Sequence, residues 1–95
     1  MKLSILSLAR SDLKEIHMYL SEYGENPPKK FREHFEKFCS QVLEMPLMFG
    51  QYKYNIQYRR AVIIFDYQIF YRIDEDKVMI YRVLHSRRNT LSLLL

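Results

Sequence analysis

Ninety-five residues suffice for one hydrophobic core and are too few for a second, so the sequence describes a single domain spanning residues 1–95. One cysteine, Cys39, rules out an internal disulfide, and there is neither a basic-then-apolar leader nor an apolar run of spanning length, so a cytoplasmic location is expected. The formal net charge of +4 is carried entirely by the second half: residues 1–50 hold seven Lys or Arg against seven Asp or Glu, residues 51–95 hold eight against four, and no acid follows Asp76. Such asymmetry points to an anionic partner, a nucleic acid or an acidic protein segment, although ordinary solvated surfaces also carry a surplus of this size.

The opening residues, Met1 to Leu8, alternate loosely and predict a first strand, with Ser7 placed to cap a helix. Ala9, Leu13, Ile16, Leu20 and Tyr23 then recur at steps of four and three, one stripe of a helix, and the charged Asp12, Lys14, Glu15 and Glu22 are assigned off that stripe. Gly24 is a suitable C-terminal stop. Asn26 is placed to cap a second helix with Pro27 in its first position, where a missing N–H is harmless. The stripe of that helix is Phe31, Phe35, Phe38, Val42 and Met45, and Pro46 ends it. Two helices with matching seams and a short link form an αα-hairpin.

A loop containing Gly50 leads to a strand over Tyr58–Phe65. Two further runs rich in aromatic and β-branched residues, Tyr67–Ile73 and Lys77–Leu84, flank the acidic turn Asp74-Glu75-Asp76 and read as a β-hairpin. The architecture expected is α+β, in the order β-α-α-β-β-β: a four-stranded sheet, taken as antiparallel throughout because each helix is assumed to reverse the chain, with the αα-hairpin on one face. Both faces of the strands are apolar. Val62, Ile64, Phe70, Val78, Ile80 and Leu84 alternate with Ala61, Ile63, Ile69, Tyr71, Ile73, Met79, Tyr81 and Val83, so the face away from the helices is either covered by the tail Leu91–Leu95 or offered to a partner. Arg60, Arg72 and Arg82 fall one per strand, and either stud one face together or pair with scattered acids; the sequence leaves both open.

No metal or cofactor is expected. His17, His34 and His85 are far apart, Cys39 sits beside Phe38 as a core residue, and glycine only at 24 and 50 provides no phosphate-cradling loop. His85, next to Arg87 and Arg88 at a strand end, is the one histidine with either a functional or a sheet-closing role.

The text A-R-S-D-L-K-E-I-H-M-Y-L from Ala9, and above all Phe70-Tyr71-Arg72-Ile73-Asp74 with Arg82-Val83-Leu84-His85 followed by Arg87 and Arg88, resembles the RelE/ParE toxin superfamily of bacterial type II toxin–antitoxin modules, closer to the ParE branch. The likeness spans almost the whole chain. It implies a basic cytoplasmic toxin neutralised by a cognate antitoxin whose C-terminal segment wraps the helices and sheet. ParE-branch members poison DNA gyrase by binding; RelE-branch members cut messenger RNA on the ribosome. On the first reading the target-binding residues are Arg82, His85, Arg87 and Arg88, with Arg59, Arg60 and Arg72 adjoining. On the second, His85 is the acid, Arg72 and Arg82 hold the phosphate, and Lys53 or Glu44 is the base. A third reading is a non-toxic member that only binds antitoxin. Three departures stand out. No tyrosine follows the last strand, as RelE-branch enzymes usually have, which weakens the nuclease reading; Phe65-Asp66 occupy a turn where the family favours glycine; and Asn89 stands where aspartate is common.

Overall fold

The computed structural model describes residues 1–94. Its elements are β1 (Lys2–Ile5), α1 (Ser7–Ser21), α2 (Asn26–Glu44), β2 (Arg59–Ile63), β3 (Tyr67–Asp74), β4 (Lys77–His85) and a single turn of helix, α3 (Thr90–Leu93). The strands lie in the order β1-β4-β3-β2, so the α+β class and the element order agree with the sequence.

The sheet is mixed, which corrects the expectation of a fully antiparallel one. β2 pairs with β3 and β3 with β4 antiparallel, but β1 runs parallel to β4, from Lys2 opposite Lys77 to Ile5 opposite Ile80. The reason lies at the junction of β1 and α1. β1 is short and ends half-way along β4, and α1 then continues in the same sense beside the uncovered half: Leu6 N–H donates to Ile80 O at 3.0 Å, and Asp12, a turn and a half further on, accepts from Val83 N–H at 3.0 Å. Only α2 reverses the chain, running down the sheet with Phe31 against Tyr67 and Phe38 against Tyr71 (ring centroids 5.3 and 5.7 Å). One reversal instead of two brings β4 out parallel to β1.

The helix boundaries follow local chemistry with small shifts. Leu6 and Glu25, rather than Ser7 and Asn26, occupy the N-cap positions, and Pro27 and Pro28 fall inside the first turn of α2, where their missing N–H groups cost little. Gly24 adopts φ +111°, a conformation costly for any other residue, and turns the chain between the helices. Ala9, Ile16 and Leu20 of α1 and Phe31, Phe35, Phe38 and Val42 of α2 are buried as their spacing requires, whereas Tyr23 and Met45, at the ends of the expected stripes, are exposed. Each fully buried Phe or Leu side chain contributes about 1.5–3 kcal/mol.

A β-bulge in β4 resets the alternation. Phe70 lies opposite Arg82 but Tyr71 lies opposite Ile80, leaving Tyr81 as the extra residue. Ile80 and Val83, three apart, therefore both join Val78, Ile69, Tyr71 and Ala61 under the helices, while Tyr81 and Leu84 belong to the second face. There the tail folds back: Leu94 is buried against Tyr52, Tyr58, Phe70 and Leu84, the Tyr52 and Thr90 hydroxyls hydrogen-bond at 2.9 Å, and Tyr58 Oη donates to Leu94 O at 3.4 Å. The tail thus covers part of the second face, as one of the two sequence readings had it; its last residue, Leu95, lies outside the described residues.

The β2–β3 connection contains two non-glycine residues in the left-handed region, Phe65 (φ 62°) and Asp66 (φ 61°). Each costs about 1–2 kcal/mol, and Ser86 N–H, donating to Asp66 O at 2.9 Å, ties the turn to the end of β4.

Candidate functional site

Beyond β1, the first helix and the upper half of β4 enclose a groove of about 640 Å³. α1 contributes Ile16, Tyr19 and Leu20, and the turn after it Tyr23; the strained turn contributes Phe65, and the sheet Tyr67, Val83 and Leu84. Tyr19 and Tyr23, both exposed, meet edge to face with centroids 5.5 Å apart and hydroxyls at 3.3 Å. That hydrogen bond raises the Tyr23 pKa above its ordinary value, and burial, with a smaller effect from Tyr19, raises that of Tyr67. Asp12 and Glu15 lie along one part of the groove wall, His85, Arg87 and Arg88 along another.

His85 closes β4 with its ring edge-on to Tyr67, centroids 5.2 Å apart at 89°. Its Nδ1 accepts from Arg87 N–H at 3.1 Å and its carbonyl accepts from Arg88 N–H at 2.9 Å, so the histidine shapes the turn that presents the two arginines. Both arginines are exposed, and among the described residues neither has a carboxylate partner.

The basic residues singled out from the sequence divide into separate environments instead of forming one edge. Arg82 is committed internally: Nε and Nη2 donate to the Asp12 carboxylate at 2.8 and 2.9 Å, and Nη1 donates to Leu93 O at 3.0 Å. The Asp12 hydrogen bonds raise the guanidinium pKa further above its already high ordinary value. Arg59, half-buried, donates to Phe49 O at 2.8 Å and anchors the loop before β2. Arg60 and Arg72 lie on the second face, Arg60 over the Tyr52 ring and donating to Gln68 Oε1 at 2.9 Å, Arg72 over the Tyr81 ring. Only His85, Arg87 and Arg88 share the groove.

The residues nominated for a nuclease are likewise dispersed. Lys53 sits over Tyr54 beside Arg60, on the side of the sheet away from His85, and Glu44 is the exposed last residue of α2. Cys39 packs against the helix-side core, and burial, with Glu36 adding to it, pushes its thiol up to about 11, away from nucleophilic use.

Sequence reasoning missed Asp12 and the aromatic rim. Asp12 lies three residues after Ala9 and four before Ile16, on the buried stripe by spacing; its charge alone excluded it. The Tyr19–Tyr23 pair was legible as an i, i+4 aromatic couple.

The family model described as ParE toxin of type II toxin-antitoxin system, parDE, matches residues 3–90. The chain belongs to the ParE toxin family. No curated protein sequence matches it. Among solved structures, the chain is similar in fold to one described as the chromosomal ParDE TA system from P. aeruginosa, with a TM-score of 0.64 and 17% identity, covering 90% of this chain and 95% of that one. The groove, the His85 turn and the Asp12–Arg82 pair are thus features of a ParE-type toxin of a type II toxin–antitoxin system. Among the described residues, no helix is long and apolar enough to cross a membrane.

Proposed function

We propose that this ParE-family toxin inhibits DNA gyrase by binding it through the basic segment at Arg87 and Arg88, and that a cognate antitoxin neutralises it by laying an amphipathic segment in the groove beside α1. The observation carrying the reading is the placement of two exposed guanidinium groups, without carboxylate partners among the described residues, at the rim of an apolar groove. An apolar helix face suits Ile16, Leu20, Tyr19 and Tyr23, and acidic side chains at its edge suit Arg87 and Arg88. An occupant of the groove then covers the basic segment as well, which gives a steric reason for neutralisation.

Action by binding is favoured over message cleavage by the dispersal of the nuclease candidates: Arg82 is held by Asp12, the His85 Nδ1 by Arg87 N–H, and Lys53 lies across the sheet. General acid and base must both reach the reacting phosphate for catalysis. The test is a supercoiling assay with purified gyrase. The chain should block supercoiling, co-purified antitoxin should restore it, and the Arg87→Ala/Arg88→Ala variant should not block it. Unaffected supercoiling with cut messages mapped by primer extension after induction establishes a ribosome-dependent endoribonuclease instead; neither effect, with normal growth, leaves a non-toxic antitoxin-binding protein.

A further inference from the structure

The hydrogen bond from Arg87 N–H to His85 Nδ1, 3.1 Å long, has the form of a bond that Asn and Asp make at the start of turns, where a side-chain oxygen accepts the N–H two residues on. His85 opens such a turn, since its carbonyl accepts from Arg88 N–H, three residues on, at 2.9 Å. The imidazole thus stands in for an Asn side chain, with one difference in chemistry. Nδ1 accepts only while the neutral ring keeps its proton on Nε2; a protonated ring carries N–H at both nitrogens and accepts nothing. On either side of the two arginines the chain is tied down, by Ser86 N–H donating to Asp66 O at 2.9 Å and by Asn89, whose side chain accepts from Ser92 N–H at 3.4 Å as α3 begins. Between those points the backbone of Arg87 and Arg88 is fixed by its two bonds to His85. Carboxylates near the ring belong to Asp12 and Glu15, which share the groove with it from α1, and to Asp66 in the β2–β3 turn; Asp12 is already neutralised by Arg82. The other titratable groups around it are the Tyr67, Tyr19 and Tyr23 hydroxyls, the nearby cations are Arg87 and Arg88, and α2 brings only the uncharged Pro27 to the groove.

We infer that His85 is a positioning residue and a proton-sensitive latch: its neutral imidazole locks the turn that presents Arg87 and Arg88, and a proton on the ring frees the Arg87 N–H and loosens that turn. The sign of the effect makes the inference specific. A histidine that only lay on a basic surface would add positive charge on acidification and strengthen attraction to an anionic partner. A latch weakens binding on acidification despite the added charge, because the two guanidinium groups lose their set position. The consequence for target binding rests on the gyrase reading above, whereas the latch is a property of the isolated chain.

The experiment is an NMR titration of the isotope-labelled full chain from about pH 8 to about pH 5, following the His85 ring and the Arg87 amide together, with affinity for purified gyrase measured over the same range. At the upper end the ring nitrogen shifts should report the tautomer with its proton on Nε2. As the ring protonates, the Arg87 amide should lose about threefold or more of its protection from solvent exchange, the contribution of one ordinary hydrogen bond, with the same midpoint as the ring. Amides of β3 in the core should keep theirs, which separates release of the turn from unfolding. His85→Ala should show the low protection at every pH. His85→Asn, whose Oδ1 can accept the same N–H and does not titrate, should recover most of the loss and remove the pH response. Gyrase affinity should follow: on acidification the parent should weaken about threefold or more relative to His85→Asn, which corrects for titration of gyrase itself, and His85→Ala should bind less tightly than His85→Asn at neutral pH. The inference is overturned if Nδ1 carries the proton of the neutral ring, if the Arg87 amide is indifferent to protonation of the ring, if Asn restores no more than Ala, or if acidification tightens gyrase binding by the parent relative to His85→Asn. A chain that binds no gyrase at any pH overturns the function proposed above, and the amide titration then decides the latch alone.

Discussion

Arg82 and the Arg87–Arg88 pair lie on and just after the same strand, yet they have opposite fates. The Arg82 side chain is 13% exposed, with donors bonded to Asp12 and Leu93, whereas Arg87 and Arg88 stand in solvent at the groove rim. The difference originates in β1. That strand stops at Ile5 opposite Ile80, so the upper half of β4 is an open edge and Val83 N–H lacks a strand partner. Asp12 on α1 accepts that N–H, and the bulge at Tyr81 brings Arg82 to where it neutralises the carboxylate. A single ion pair thereby closes the sheet edge, attaches the first helix and reaches the tail. An arginine close to the proposed binding segment can thus belong wholly to the architecture, and partners distinguish the cases where residue type does not.

The sharpest way to break this contrast is to remove Asp12. Asp12→Ala leaves a guanidinium desolvated without its partner and Val83 N–H unsatisfied, and should cost about 3–5 kcal/mol in urea denaturation. Pairing it with Arg82→Met should recover much of the loss, since a buried pair exchanged for apolar side chains is often neutral. A cost for Asp12→Ala below about 1 kcal/mol would sink the view that this pair holds edge, helix and tail together.

The same pair shows what could and could not be read from the chain. Helix stripes, the acidic hairpin turn and the Gly24 stop were legible because each is set by local periodicity or a single backbone constraint. The direction of β1 relative to β4 was not, because it depends on whether α1 turns back at Leu6 or carries on, and hydrophobic spacing is identical in the two cases. The bulge was equally hidden: Ile80-Tyr81-Arg82-Val83 alternates plausibly in sequence, and only pairing with Phe70 and Tyr71 reveals the extra residue. Asp12 was misassigned because a charge outweighed its position on the stripe. The basic candidates near His85 were visible as types, but their division into internal, second-face and groove residues is a property of tertiary contact.

The tail and the strained turn test the contrast at intermediate size. Leu94→Ala should cost about 2 kcal/mol by emptying the pocket lined by Tyr52, Tyr58, Phe70 and Leu84. Tyr52→Phe, which leaves the packing and removes the hydroxyl bond to Thr90, should cost about 1 kcal/mol. Phe65→Gly should raise stability by about 0.5 kcal/mol, since relief of the left-handed strain exceeds the added chain entropy. It should nevertheless weaken antitoxin binding measured by calorimetry, because the lost ring belongs to the groove. A destabilised Phe65→Gly variant would show that the ring's packing outweighs the backbone strain.

The smallest expected change in stability belongs to Arg87→Ala/Arg88→Ala, and it is the most informative. Neither guanidinium has a carboxylate partner among the described residues and both are exposed, so the unfolding free energy measured in urea should change by less than about 0.5 kcal/mol. The proposed loss falls on binding: two cations removed from the groove rim should slow association with gyrase most at low salt, where long-range attraction is least screened. Stability and target binding would then separate, with Asp12→Ala moving the first and the double arginine variant moving the second. A double variant that unfolds readily, or that blocks supercoiling as well as the parent, would remove Arg87 and Arg88 from the working surface and return them to ordinary solvated charge.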